Sequence, residues 1–114
     1  MSREEDLYLK DILHACDKVL RYSRGLSRDQ VFEDEKTYDA ILRNLEIIGE
    51  AVKRLSPGFR QRHSQIEWRK IAGLRDIVIH EYFGLDIQIL WDVISNKIPE
   101  FRAQIHEVAQ LPNE

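Results

Sequence analysis

Residues 38–57 read YDAILRNLEIIGEAVKRLSP. Tyr38, Ile41, Leu42, Leu45, Ile48, Val52 and Leu55 recur at steps of one, three and four, the pattern that returns side chains to one face of an α-helix. The stripe predicts a helix from about Asp34 to Leu55, stopped by Ser56-Pro57-Gly58. Gly49 sits inside it at a cost of ~1 kcal/mol against alanine. A glycine there lets a second backbone approach closely, at a helix crossing or at a dimer seam.

Upstream, Leu7, Ile12, Ala15, Val19 and Tyr22 predict a first helix from about Glu4 to Arg24. Acids fill its first turn and Arg21 and Arg24 its last, as the helix dipole favours, and Gly25 stops it. Residues 27–32 read as a linker or a helical turn with Ser27 as its cap. Downstream, residues 59–66 read as a basic loop with a short turn. Ile71, Leu74, Ile77 and Val78 predict a third helix over roughly Trp68 to Glu81, mildly interrupted by Gly73. Gly84 turns the chain and Asp86 caps a fourth helix, whose apolar face opens with Ile87, Leu90, Trp91 and Ile94. Pro99 either kinks that helix or stands in the first turn of a continuation carrying Phe101, Ile105 and Val108. With no strand-like alternation, the expected fold is all-α, a four- to five-helix bundle forming one domain over residues 1–114.

Hydrophobic residues make up 43% and charged residues 32%, which excludes a disordered chain. Cys16 is the only cysteine, so no internal disulfide forms and a reducing cytoplasm is the expected compartment. It falls within the apolar pattern of the first helix and reads as a buried thiol. The charged N-terminus is no signal peptide, and no apolar run approaches the ~20 residues that span a bilayer.

The net charge of −3 argues at first against a nucleic-acid partner. Its distribution argues the other way. Residues 1–52 carry 8 Lys/Arg and 12 Asp/Glu, residues 53–75 carry 7 and 1, and residues 76–114 carry 2 and 7. The basic block is Lys53, Arg54, Arg60, Arg62, Arg69, Lys70 and Arg75. Such a block is either an RNA-facing field or a solvated face balanced by acidic neighbours.

That block runs into LRDIVIHEYFGLD, residues 74–86. Arg75, Asp76, His80 and Tyr82 place a guanidinium, a carboxylate, an imidazole and a phenol in an otherwise apolar segment. Asp76 and His80 are four apart, so the carboxylate can accept a hydrogen bond from one ring nitrogen and leave the other for proton transfer. Arg75 and His80 are five apart, about 140° around a helix. One rigid helix does not aim both at one point, whereas two copies meeting across a two-fold axis would. A structural reading also fits: a surface ion pair, a helix-end histidine and a core-edge aromatic.

Arg75-(x)4-His80-x-Tyr82, with Asp76 after the arginine, resembles the signature of HepT-like toxins in the HEPN superfamily. Residues 38–57, residues 66–86 (IEWRKIAGLRDIVIHEYFGLD) and residues 90–101 (LWDVISNKIPEF) are similar to that family's second, motif and last helices. The resemblance implies a bundle that forms a homodimer through the motif helix, with a composite cleft between subunits. It implies a metal-independent endoribonuclease that needs no cofactor and has Arg75, His80 and Asp76 as catalytic residues. Lys53, Arg54, Arg60, Arg62, Arg69 and Lys70 are the expected RNA-binding residues. The implied partner is an MntA-like minimal nucleotidyltransferase antitoxin that transfers AMP onto the motif tyrosine, here Tyr82.

The alternative function is a non-catalytic helical module that docks a nucleotidyltransferase. A metal site finds little support, because His14, His63, His80 and His106 show no ligand spacing. Walker-type phosphate loops and GxSxG elbows are absent.

Overall fold

The computed structural model describes residues 2–81 and 87–110, with the backbone alone at Ile79, His80 and Glu81. Among the described residues every regular element is helical. They are α1 (Arg3–Ser23), α2 (Arg28–Glu33), α3 (Glu35–Arg54), α4 (Pro57–Arg62), α5 (Trp68–Ala72), α6 (Leu74–Glu81), α7 (Ile87–Asp92), a π turn (Val93–Lys97) and α8 (Ile98–Ala109). The expected all-α bundle is what forms.

α1 and α3 make the main helix pair. α8 packs on α1, and α5 and α6 pack on α3. Leu9, Ile12, Ala15, Cys16 and Val19 face the interior from α1, and Ile41, Leu45, Ile48 and Val52 from α3. Leu90, Ile94, Ile98, Phe101 and Ile105 close the core from the C-terminal arm. Each fully buried aliphatic or aromatic side chain here contributes roughly 1.5–3 kcal/mol. Asn44 is the one buried polar side chain among the described residues, and its Nδ2 donates to the Ala40 carbonyl at 2.8 Å.

Two expected core positions lie outside. Leu7 is 49% exposed and Ile87 48% exposed. Leu7 is five residues before Ile12, about 140° around the helix, whereas Leu9, three before, shares its face and is buried. Ile87 opens α7, ahead of the point at which Leu90 enters the core.

Short helices form at residues 28–33, where a linker or helical turn capped by Ser27 was expected, and at residues 57–62, where a chain break and a basic loop were expected, and their caps explain them. Ser27 Oγ accepts from the Gln30 amide while Gln30 Oε1 accepts from the Ser27 amide, a reciprocal box that starts α2. Ser56 Oγ accepts from the Phe59 amide, and Pro57 occupies the first turn of α4. Ser56-Pro57-Gly58 therefore ends one helix and begins the next. Gly25 stops α1 with φ +76°, a conformation that L side chains rarely adopt.

Pro99 does not end the last helix. A proline ring clashes with the carbonyl four residues back and offers no N–H. The π turn immediately before it, in which the Ile98 amide donates to the Val93 carbonyl, widens the coil there and lets α8 continue.

Candidate active site and adjoining basic cleft

α3 and the α5–α6 arm cross closely at Gly49. A Cβ on Gly49 would lie 3.3 Å from both the Ala72 carbonyl oxygen and the Arg75 amide nitrogen. The helix crossing expected of this glycine is present within one chain. It places the backbone of Arg75 against α3, and the next residue on α3 uses that proximity: Arg75 Nη1 lies 3.1 Å from Glu50 Oε1. Both side chains are nearly half exposed, so water screens the pair and leaves part of the guanidinium open.

α6 is continuous from Leu74 to Glu81. Positions 76 and 80 are therefore one turn apart on its surface, as the spacing required. Asp76 is exposed. At His80 the backbone alone is described, and Tyr82, Gly84 and Asp86 lie outside the described residues. The 140° between positions 75 and 80 stands, because the helix is unbroken between them.

The six expected RNA-binding cations divide. Lys53, Arg60, Arg69 and Lys70 surround one cleft of about 910 Å³. Its apolar floor comes from Pro57, Ile66, Trp68 and Ala72. The buried Trp68 ring fixes this floor: its Nε1 donates to the His63 carbonyl at 2.9 Å and the Arg60 carbonyl at 3.2 Å, tying α4 to α5. Its ring meets Phe101 edge-on at 6.0 Å. Arg54 and Arg62 point elsewhere. Arg54 lines a separate cavity between α1 and α3, and Arg62 lies over the Phe59 ring and 4.0 Å from Glu5.

Within the cleft Lys70 Nζ holds Glu67 Oε2 at 2.8 Å. The Lys70 hydrogen bond, and then its charge, keep the Glu67 carboxyl below the usual carboxylate range. Lys53, Arg60 and Arg69 have no acidic partner within 4 Å among the described residues. Arg60 Nε is buried with no hydrogen-bond acceptor among the described residues.

Cys16 is fully buried, and its burial pushes the thiol up to about 12, so it is no nucleophile at neutral pH. No three His, Cys, Asp or Glu side chains among the described residues assemble as a metal-binding group. No described helix is long and apolar enough to cross a membrane.

The model of the family described as "Ribonuclease HepT-like" matches residues 12–108, which include α3, the crossing and the motif helix. The chain belongs to the HepT-like family. Among its relatives is a "Putative RNase" of Caldanaerobacter subterraneus subsp. tengcongensis, 44% identical over 103 residues, covering 90% of this chain and 92% of that one. A "Putative RNase" of Methanocaldococcus jannaschii is 39% identical over 101 residues, covering 89% and 84%. A "Probable ribonuclease HepT" of Thermococcus cleftensis is 36% identical over 108 residues, covering 95% and 98%. No solved structure gives a significant match.

Glu50 was not anticipated as a neighbour of the site. Its pairing with Arg75 spans 25 positions of sequence, and only the adjacent Gly49, marking a close backbone approach, hinted at it.

Proposed function

We propose that this HepT-like chain is a metal-independent endoribonuclease in which Arg75 and His80 act on one RNA phosphodiester. The observation that carries the reading is the half-exposed Arg75 guanidinium, held at the α3–α6 crossing on the same unbroken helix as His80. Family membership and the ribonuclease names of the relatives support the reaction class.

His80 takes the proton of an RNA 2′-hydroxyl, whose oxygen attacks the neighbouring phosphorus. The bond from phosphorus to the 5′-oxygen breaks, and that oxygen leaves with a proton supplied by water, while His80 returns the one it took to solvent. The products are a 2′,3′-cyclic phosphate and a 5′-hydroxyl. Arg75 pairs with the non-bridging oxygens and stabilises the charge gathering on them. Asp76, one turn before His80, orients the imidazole.

A homodimer across the motif helix brings the arginine of one copy toward the histidine of the other, which answers the 140° between them. Ile87 and Ile89, each 48% exposed just beyond the motif segment, suit such a seam. The partner is an MntA-like nucleotidyltransferase antitoxin, which transfers AMP from ATP to the Tyr82 oxygen as the bond between the α-phosphorus and the bridging oxygen breaks and pyrophosphate leaves. The added anion repels RNA and competes for Arg75. A buried free thiol suits a reducing cytoplasm.

The test is cleavage of a labelled RNA in EDTA by the wild type, Arg75→Ala and His80→Ala. Each variant is expected to lose ~10²–10³ in rate. Equal rates in all three proteins would remove the assignment.

A further inference from the structure

The groove between α3 and the α5–α6 arm has two levels. At one, Glu50 and Arg75 bridge it. Lys53 lines the basic cleft and stands three residues after Glu50 on the same helix, α3. Residues three apart are neighbours on a helix surface. The cleft therefore opens about one helical turn, ~5 Å, from the arginine and along the same groove.

Its chemistry selects its occupant. Four cations against the single Glu67 carboxylate leave three positive charges around an apolar floor. Among the described residues, Lys53, Arg60 and Arg69 have no acidic partner. A lone phosphate would leave the floor unused, and an apolar ligand would leave the cations unused. A chain of phosphates carrying flat apolar bases uses both, which is the usual composition of a single-strand site. A duplex keeps its bases stacked inside and offers the floor only backbone.

We propose that the cleft formed by Lys53, Arg60, Arg69 and Lys70 over Pro57 and Ala72 is a subsite for an unpaired RNA segment next to the scissile phosphate. It rests on the ribonuclease reading for its location relative to the cut, and on its own geometry for binding. The nucleotide seated there adds binding remote from the reacting bond. The enzyme then favours single-stranded RNA several nucleotides long over both duplex and dinucleotide.

Binding is measured by fluorescence anisotropy with a labelled octauridylate, on full-length protein in a His80→Ala background that prevents cleavage. Lys53→Ala/Arg69→Ala is compared with Lys10→Ala/Lys18→Ala, a control pair on α1 away from the cleft. The cleft pair is expected to weaken binding ~10-fold at moderate salt, and to flatten the slope of log K against log salt by about 1.4, roughly 0.7 per lost phosphate contact. The control pair leaves both unchanged. An octamer duplex binds more weakly than the single strand. With His80 present, the cleft pair raises KM for the octamer. Unchanged octamer affinity in the cleft pair overturns the subsite and leaves the cleft to an acidic protein partner. Equal affinity for duplex and single strand overturns the unpaired-base selection. If the wild type cuts no RNA while the cleft pair still loses octamer binding, the ribonuclease reading fails and the binding site stands.

Discussion

Replacing Gly49 by alanine tests the crossing that positions Arg75. The added Cβ meets two backbone atoms at 3.3 Å, the Ala72 oxygen and the Arg75 nitrogen. Neither belongs to a flexible side-chain end, so α3 and the α5–α6 arm must part by a few tenths of an ångström. Inserting a methyl group into a packed contact costs about 1–3 kcal/mol. Helix propensity returns ~1 kcal/mol. The balance is a loss of about 1 kcal/mol, and for a chain of this size about 4–6 °C in Tm. Gly73→Ala is the internal control. Its Cβ meets only carbonyls of its own helix, at 3.4 and 3.5 Å, with φ at −73°. Less freedom in the unfolded chain then stabilises it by about 0.4–1 kcal/mol. Thermal melts at one fixed protein concentration decide the matter, since any self-association shifts Tm with concentration. RNA cleavage should fall in Gly49→Ala alone, because the displaced amide is that of Arg75. A Gly49→Ala protein as stable and as active as Gly73→Ala would mean that the crossing at Gly49 does not position Arg75.

Other perturbations separate the remaining parts of the account. The Cys16 thiol is raised to about 12 in the fold against an ordinary value near 9. Above pH 9 the unfolded chain releases a proton that the folded one keeps. Stability is therefore whole below pH 9 and falls as pH climbs toward 12, by up to about 1.4 kcal/mol per unit. Urea titrations of Cys16→Ala should lack that part of the alkaline decline, and an unchanged slope would contradict the burial argument. Glu50→Gln removes the carboxylate 3.1 Å from Arg75. Because the pair is half exposed, stability should change by less than about 1 kcal/mol, while KM for RNA drops about twofold to fivefold. A rise in KM would show that Glu50 assists phosphate binding. Ser56→Ala deletes the cap on α4 and the hydrogen bond from Ser56 Oγ to Glu5 Oε1 at 2.9 Å. It should cost about 1–2 kcal/mol in chemical denaturation, and a neutral result would mean that Pro57 alone starts the helix.

The long helices were legible in the sequence because burial writes itself as periodicity. Every α3 stripe residue except Tyr38, which is partly buried, ends inside, and Cys16 lies where its neighbours placed it. The six-residue helices α2 and α4 carry too few turns for periodicity, and caps rather than a stripe announce them. Ser27 was legible as a cap, whereas its partner Gln30 was not read as the other half of the box. The π turn has no propensity code of its own, although Pro99 marked the place where a regular helix would clash. The basic block was visible as composition. Its division was not, since Arg54 is adjacent to Lys53 in sequence yet lines a cavity on another side of α3. The Arg75–Glu50 pair lies beyond local reading altogether, because it depends on how closely two helices pass.

The most direct test of the central claim uses one RNA made twice, with a ribose and with a single 2′-deoxyribose at the cut position, given to the wild type in EDTA. Cleavage of the first to a 2′,3′-cyclic phosphate and a 5′-hydroxyl is expected, with the second strand intact at that position. Equal cleavage of both strands, or loss of all cleavage once metal is chelated, would contradict it.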